Sequence, residues 1–388
     1  MLEKALTGDK KYWGWIGFLL LLITVGFGAY LRQYTEGLTM TGLSRDVSWG
    51  FYIAQLTYLV GVAASGVMLV MPYYLHDHKA FGKITILGEF MAVAAITMCL
   101  LFVLVDLGQP MRMMNMIIHP TPNSVLFWDM VVLNTYMFLN IIIGWNVLQA
   151  ERKGVHYQAW VKPLIYLSIP FAVSIHTVTA FLYAGLPGRH FWLTAIMAPR
   201  FLAGAFCAGP SILLLIVFFL RKFTSFDAGQ KAIRSLAVII TYAMILNVFF
   251  LLLELFTAFY SQVPGHMHAF TYLFVGLHGG YNMVPVMWAS VILAVIVLVL
   301  LIPAKFRNND KILVPALIML VLSTWLEKGV ALVVTGFIPN PLEHVNEYLP
   351  TLNELVISVG VYAVGALIVT VLYKIAIDVK AEVGDVAH

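Results

Sequence analysis

Ten apolar runs, each long enough to cross a hydrocarbon core of roughly 30 Å, recur along this chain. They fall at about 13–31, 49–72, 86–105, 124–149, 163–184, 200–222, 233–258, 283–302, 312–336 and 353–378. A lipid core offers no water to unpaired backbone groups, so each run must close its hydrogen bonds internally as a helix. The expected fold is an all-α integral membrane protein of about ten transmembrane helices. A soluble domain is excluded, because 61% of the 388 residues are hydrophobic and only 11% are charged. The first run lacks a small-residue cleavage site and is expected to stay as an anchor.

Two short resemblances inside the chain suggest a duplication. GVAASG (61–66) is echoed by GAFCAG (204–209), and VLFWDMVVL (125–133) by VPVMWASVIL (284–293). A four-helix repeat keeps its orientation, so the expectation is two parallel four-helix bundles with an extra helix at each end. The implied divisions are 1–48 for an anchor helix and outer loop, 49–184 and 200–336 for the bundles, and 353–388 for a last helix and tail. Prolines 72, 110, 122, 163, 187, 303 and 341 are expected at helix boundaries, and Pro170, Pro210 and Pro315 within helices.

Lys and Arg divide 17 to 5 between the two sides. Lys4, Lys10, Lys11, Arg152, Lys153, Arg221, Lys222, Lys305 and Arg307 are among the majority, and Arg32, Arg45, Arg112, Arg189 and Arg200 form the minority. By the positive-inside rule both termini are expected to be cytoplasmic, and the longer loops to face outward. The net charge of +4 therefore reports topology, and nucleic acid is not an expected partner.

Buried charge is costly in a bilayer and usually functional or paired. The densest polar group is DLGQPMRMMNMIIHPTPNSVLFWD (106–129), which gathers Asp106, Arg112, His119, Trp128 and Asp129 at an outer boundary. Asp106 closes a helix where the dipole is negative, so a partner is expected, with Arg112 nearest. The pair reads equally as a structural latch or as part of a catalytic group. Asp129 lies near a helix N-terminus, which favours its ionised form, while burial favours the neutral one; that balance suits proton exchange. His119 in the loop and His176 in SIHTVT (174–179) are further proton-exchange candidates, although a lone helical His is more often a hydrogen-bonded packing residue.

Glu89, Glu254 and Lys328 are candidates for a proton path, or else for glue between helices. Adjacent residues on a helix point apart, so Lys328 is expected to pair with Glu254 or another helix rather than with Glu327. His266, His268 and His278 could ligate a metal but read more simply as surface histidines, and no metal site is expected. Cys99 and Cys207 cannot supply an iron–sulfur cluster, and a b haem between helices needs two facing histidines where only His176 lies well inside a run. The chain is thus expected to carry no haem and no iron–sulfur cluster of its own.

TGLSRDVSWG (41–50), DLGQP (106–110), PTPNSVLFWD (120–129), HTVTAF (176–181) and RHFW (189–192) together resemble the signatures of the NrfD/PsrC family of polysulfide reductase membrane subunits. The ten-helix layout is similar to the members found in Hmc, Dsr and alternative complex III type complexes. The resemblance implies an integral subunit, without a redox centre, that binds menaquinone or another quinone. It also implies a periplasmic ferredoxin-type iron–sulfur partner, a multihaem cytochrome c and other membrane subunits. Carried over position by position, the matching residues are Arg45, Trp49, Asp106, Arg112, His119 and Asp129. In the favoured mechanism Asp129, with His119 or His176, exchanges the protons of the quinone, and Trp49 and Trp128 pack its ring. The competing expectations are a secondary transporter, which also uses repeats and buried charges, and a non-catalytic membrane anchor for a periplasmic redox complex.

Overall fold

The computed structural model describes residues 1–76, 78–224 and 226–386. Ten of its helices are long and apolar enough to cross a membrane. They are α1 (Lys10–Glu36), α2 (Phe51–Leu75), α3 (Gly82–Asp106), α4 (Val125–Arg152), α5 (Val161–Ala184), α6 (Met197–Phe223), α7 (Gln230–Ser261), α8 (Met283–Leu301), α9 (Asp310–Thr335) and α10 (Leu352–Val386). Hydropathy placed all ten, and their ends shift from expectation by a few residues except that α10 runs further. Pro72 lies inside α2 rather than at its end. Two helices depart from regular α geometry. At Ser65–Gly66 α2 breaks into Phe51–Ala64 and Val67–Leu75, and α9 widens into a π-helical turn over Trp325–Ala331.

Helices α2 to α5 pack in sequence and α5 closes back on α2; α6 to α9 form a second ring in the same way. The rings meet where α2 packs on α6 and α9, and where α5 packs on α6. This makes α2 the central helix, with 94% of its apolar window buried against 11% for α1. The two echoed small-residue motifs lie against each other at that meeting. A Cβ on Gly61 would come within 3.4 Å of the Ala205 Cα, and one on Gly209 would overlap the Ser65 hydroxyl. Small residues let backbones approach closely in an apolar medium, where packing rather than hydrophobic burial drives association. The flanking helices sit together: α1 pairs with α10, Gly26 against Gly360, and α10 leans on α3 and α4.

One end of the molecule is basic and tied by ion pairs. Lys4 pairs with Glu382, Lys380 with Glu151 at 2.6 Å, and Arg234 with Asp310 at 2.6 Å, so the N-terminal segment, the end of α10 and the α4–α5 turn converge. The opposite end carries the long loops. There Thr351 and Glu354 form a reciprocal cap at the start of α10, with Glu354 Oε2 accepting from Thr351 N at 2.8 Å and Thr351 Oγ1 accepting from Glu354 N at 3.3 Å. The same carboxylate accepts from Gly42 N at 2.7 Å and the Tyr348 hydroxyl at 2.5 Å, and Tyr348 Oη accepts from Phe51 N at 2.8 Å. The loop between α1 and α2 is thereby held to α10.

Candidate functional site

The loop-rich end of the first ring holds a buried acid. Asp129 is the fifth residue of α4 and only 4% exposed. Its one side-chain partner among the described residues is Thr179 of α5, whose hydroxyl oxygen lies 2.6 Å from Asp129 Oδ1 and 2.8 Å from the Ile175 carbonyl. A hydroxyl carries a single proton. When Asp129 is ionised Thr179 donates to it; when Asp129 is protonated Thr179 can accept from it and donate to Ile175. The contact therefore serves either charge state of the acid.

Thr179 belongs to a stripe. His176, Thr179 and Tyr183 recur at three and then four residues, which places them on one face of α5. Tyr183 makes a short hydrogen bond to Thr57 of α2, and Thr57 also donates to the Ile53 carbonyl. His176 is 3% exposed, and neither ring nitrogen makes a hydrogen bond.

Of the other residues expected at this site, Asp106 ends α3 with Oδ1 buried and without a hydrogen bond. Glu354, Tyr52 and Tyr183 are within electrostatic reach of its carboxyl. No ion pair joins it to Arg112, which is exposed in a short helix, Pro110–Arg112; the latch does not form, because the chain turns Arg112 outward. His119 and Arg45 are also exposed. Trp128 points away from its neighbour Asp129 and donates from Nε1 to the Pro122 carbonyl at 2.8 Å, stapling its own loop. Trp49 is not near Trp128. It stacks on Trp192 at 5.8 Å and meets Tyr183 and Phe337 edge-on, over the seam between the rings, with the Arg189 guanidinium 4.4 Å from the Phe337 ring.

The second ring holds a denser cluster, and its centre is a residue that charge counting misplaced. Arg200, counted among the outer-side charges at the edge of its run, lies in the first turn of α6 and is only 2% exposed. Its guanidinium binds Glu254 of α7 through Nη1 and Glu327 of α9 through Nη2 at 2.9 Å. Asn247 Nδ2 adds a bond to Glu327 Oε2 at 3.0 Å. Lys328 donates to the Arg200 carbonyl at 2.7 Å and lies 3.8 Å from Glu327 Oε1. Glu327 and Lys328 thus work in one cluster although they are adjacent, within the π-helical turn that replaces regular α spacing. The missed signal was an Arg that opens one apolar run, faced by lone Glu residues in two others.

Glu89, toward the basic end of α3, is 2% exposed with Oε2 unbonded, beside Gly144 and under the influence of Glu151 and Lys380. Among the histidines considered for metal, His268 bonds Glu343 at 2.7 Å and His266 faces His190 at 6.0 Å. No group of three or more His, Cys, Asp or Glu able to hold a metal occurs among the described residues.

These features define an integral membrane protein whose two helical rings enclose titratable side chains. The chain belongs to the family described as polysulphide reductase, NrfD, which matches residues 39–339. It is similar to a putative membrane subunit of dimethyl sulfoxide reductase from Halobacterium salinarum, 28% identical over 92% of this chain and 89% of the relative. It also resembles an Hdr-like menaquinol oxidoreductase integral membrane subunit of Archaeoglobus fulgidus, 26% identical over 65% of this chain and 62% of that protein. A menaquinone reductase integral membrane subunit of Nitratidesulfovibrio vulgaris is 21% identical over 94% of this chain and 91% of its own length.

Proposed function

We propose that this chain is the quinone-interacting membrane subunit of a multisubunit redox complex, with the quinone site at the loop-rich end of the first bundle (49–184). The observation that supports it most is the Asp129–Thr179 pair, a buried acid with a partner suited to both of its charge states, in a chain related to menaquinol-linked membrane subunits. A quinol releases two protons and two electrons when oxidised. Asp129 would hold a proton at the ring oxygen, with Thr179 turning to match its charge. Trp128 and His119 stand at the exposed approach, where the 107–124 loop must open because Asp129 is covered. Trp49 and Tyr183 would wall the inner side.

The loop-rich end would face the periplasm and the basic end the cytoplasm of a bacterial inner membrane, with both termini on the cytoplasmic side. An iron–sulfur subunit of ferredoxin type would dock over the outer loops and pass electrons to a multihaem cytochrome c. The second bundle (200–336) would serve stability and proton movement through Glu254 and Lys328, with Glu89 as the cytoplasmic end of a path in the first.

The deciding measurement is menaquinol oxidation by the purified complex carrying Asp129→Asn. Assembly should persist and turnover should fall by about 10²-fold, the range for a positioned acid–base group. Unchanged turnover in an assembled complex rejects the assignment.

A further inference from the structure

The least explained side chain in the membrane interior is His176, buried where the two rings meet. A buried imidazole with two idle nitrogens is destabilising unless something else serves them. The Phe201 carbonyl, close to the ring, can serve one nitrogen at most, which leaves the other. That ring lines a cavity of about 10 Å3 whose wall also includes Thr57, Gly61, Gly204, Thr324 and Lys328. The volume matches a single water, and a water needs two to four polar partners to stay. Lys328 has three N–H donors; one goes to the Arg200 carbonyl, and its nearest carboxylate oxygen is 3.8 Å away.

Two glycines keep this space open. A Cβ on Gly61 would come 3.3 Å from the His176 Cε1, and one on Gly204 would come 2.6 Å from the Lys328 Cε. The GVAASG and GAFCAG motifs therefore do more than let helices approach, since each also leaves room for a titratable side chain of a neighbouring helix.

We propose that His176, one bound water and Lys328 form a hydrogen-bonded junction between the rings, joining the buried acid of the first to the ion cluster of the second. Lys328 donates to the water, and the water donates to an unprotonated imidazole nitrogen; the reverse order is closed because an ammonium has no lone pair with which to accept. His176 lies three residues before Thr179, the partner of Asp129, and Lys328 follows Glu327, the partner of Arg200. A change of charge at either end is thus felt at the other through two residues and a water. In this assignment His176 is a positioning residue that never touches the quinone. The water site stands on geometry alone, whereas its consequence for turnover rests on the quinone reading above.

The test uses the intact complex in two arms. A map of the unaltered protein at water-resolving resolution should show density within roughly 2.7–3.2 Å of both His176 and Lys328 Nζ. A double-mutant cycle with His176→Asn and Lys328→Met should be non-additive, in menaquinol oxidation and in thermal midpoint alike, the double variant differing from the product of the singles by on the order of fivefold in rate. Gly61→Ala, which narrows the cavity, should reproduce the His176→Asn phenotype. A dry cavity, or additivity within twofold, overturns the junction. Should Asp129→Asn leave turnover intact, the quinone reading fails while the map and the thermal cycle still decide the water site.

Discussion

The Thr179 hydroxyl stands 2.6 Å from Asp129 and 2.8 Å from the carbonyl of Ile175, one proton shared between two acceptors. Replacing Thr179 with Val keeps the shape and removes both options. A lost hydrogen bond to a charged group costs about 1.5–3 kcal/mol, so menaquinol oxidation should drop by roughly 10–100-fold. Thr179→Ser should retain most of the activity. Equal losses in both variants would mean that the contact is only packing.

Arg200 links three helices of the second ring. Removing one partner of a buried ion pair leaves an uncompensated charge, at a cost of about 3–5 kcal/mol. Arg200→Met should therefore abolish accumulation of the chain or lower its thermal midpoint sharply in detergent. The double variant Arg200→Met, Glu254→Gln should recover part of that loss, because the charges that remain, Glu327 and Lys328, balance each other. A single variant with an unchanged midpoint would count against the cluster as drawn.

The Glu354 carboxylate holds the α10 cap and the α1–α2 loop together. Glu354→Ala should cost about 1–3 kcal/mol through the stranded donors of Gly42 and Thr351. The local readout is proteolysis or hydrogen exchange across residues 38–50, which should become faster while the basic end stays protected. Uniform change along the chain would contradict a local strap.

Acidification should loosen one outer-loop contact. Burial, with His190 beside it, holds the His266 imidazole below its ordinary value of 6.5. A base that is harder to protonate when packed than when free favours the packed form at neutral pH. That advantage is lost as pH falls below about 6.5, where the free loop takes up a proton that the packed one refuses. Hydrogen exchange in 186–192 and 264–274 should rise between pH 7.5 and pH 5.5, and His266→Gln should flatten the change. An unaltered response in that variant would place the sensitivity elsewhere.

Span number and helical character followed from the ten apolar runs alone, because a lipid solvent leaves the backbone one local way to satisfy itself. The burial of Asp129 was also legible, since it is a carboxyl five residues into an apolar helix. Partnership was not. The Asp106–Arg112 latch fails although the residues are six apart, because the loop between them turns the arginine outward. Arg200 was misread because a count of charges near helix ends cannot tell a side chain in a loop from one folded back between helices.

What the sequence determined by itself, then, is one-dimensional: where the chain enters and leaves an apolar medium, which faces carry small residues, and which carboxyls stand in costly places. Contacts between residues distant in the chain were decided only by the tertiary structure. Thr179 meets Asp129 and Arg200 meets Glu327 because the rings close and dock, and no periodicity within a single helix records which neighbour it will face. The π-helical turn that places Glu327 and Lys328 in one cluster belongs to the same class, an adjustment made by packing against four other helices and invisible in the run of apolar residues that encodes the span.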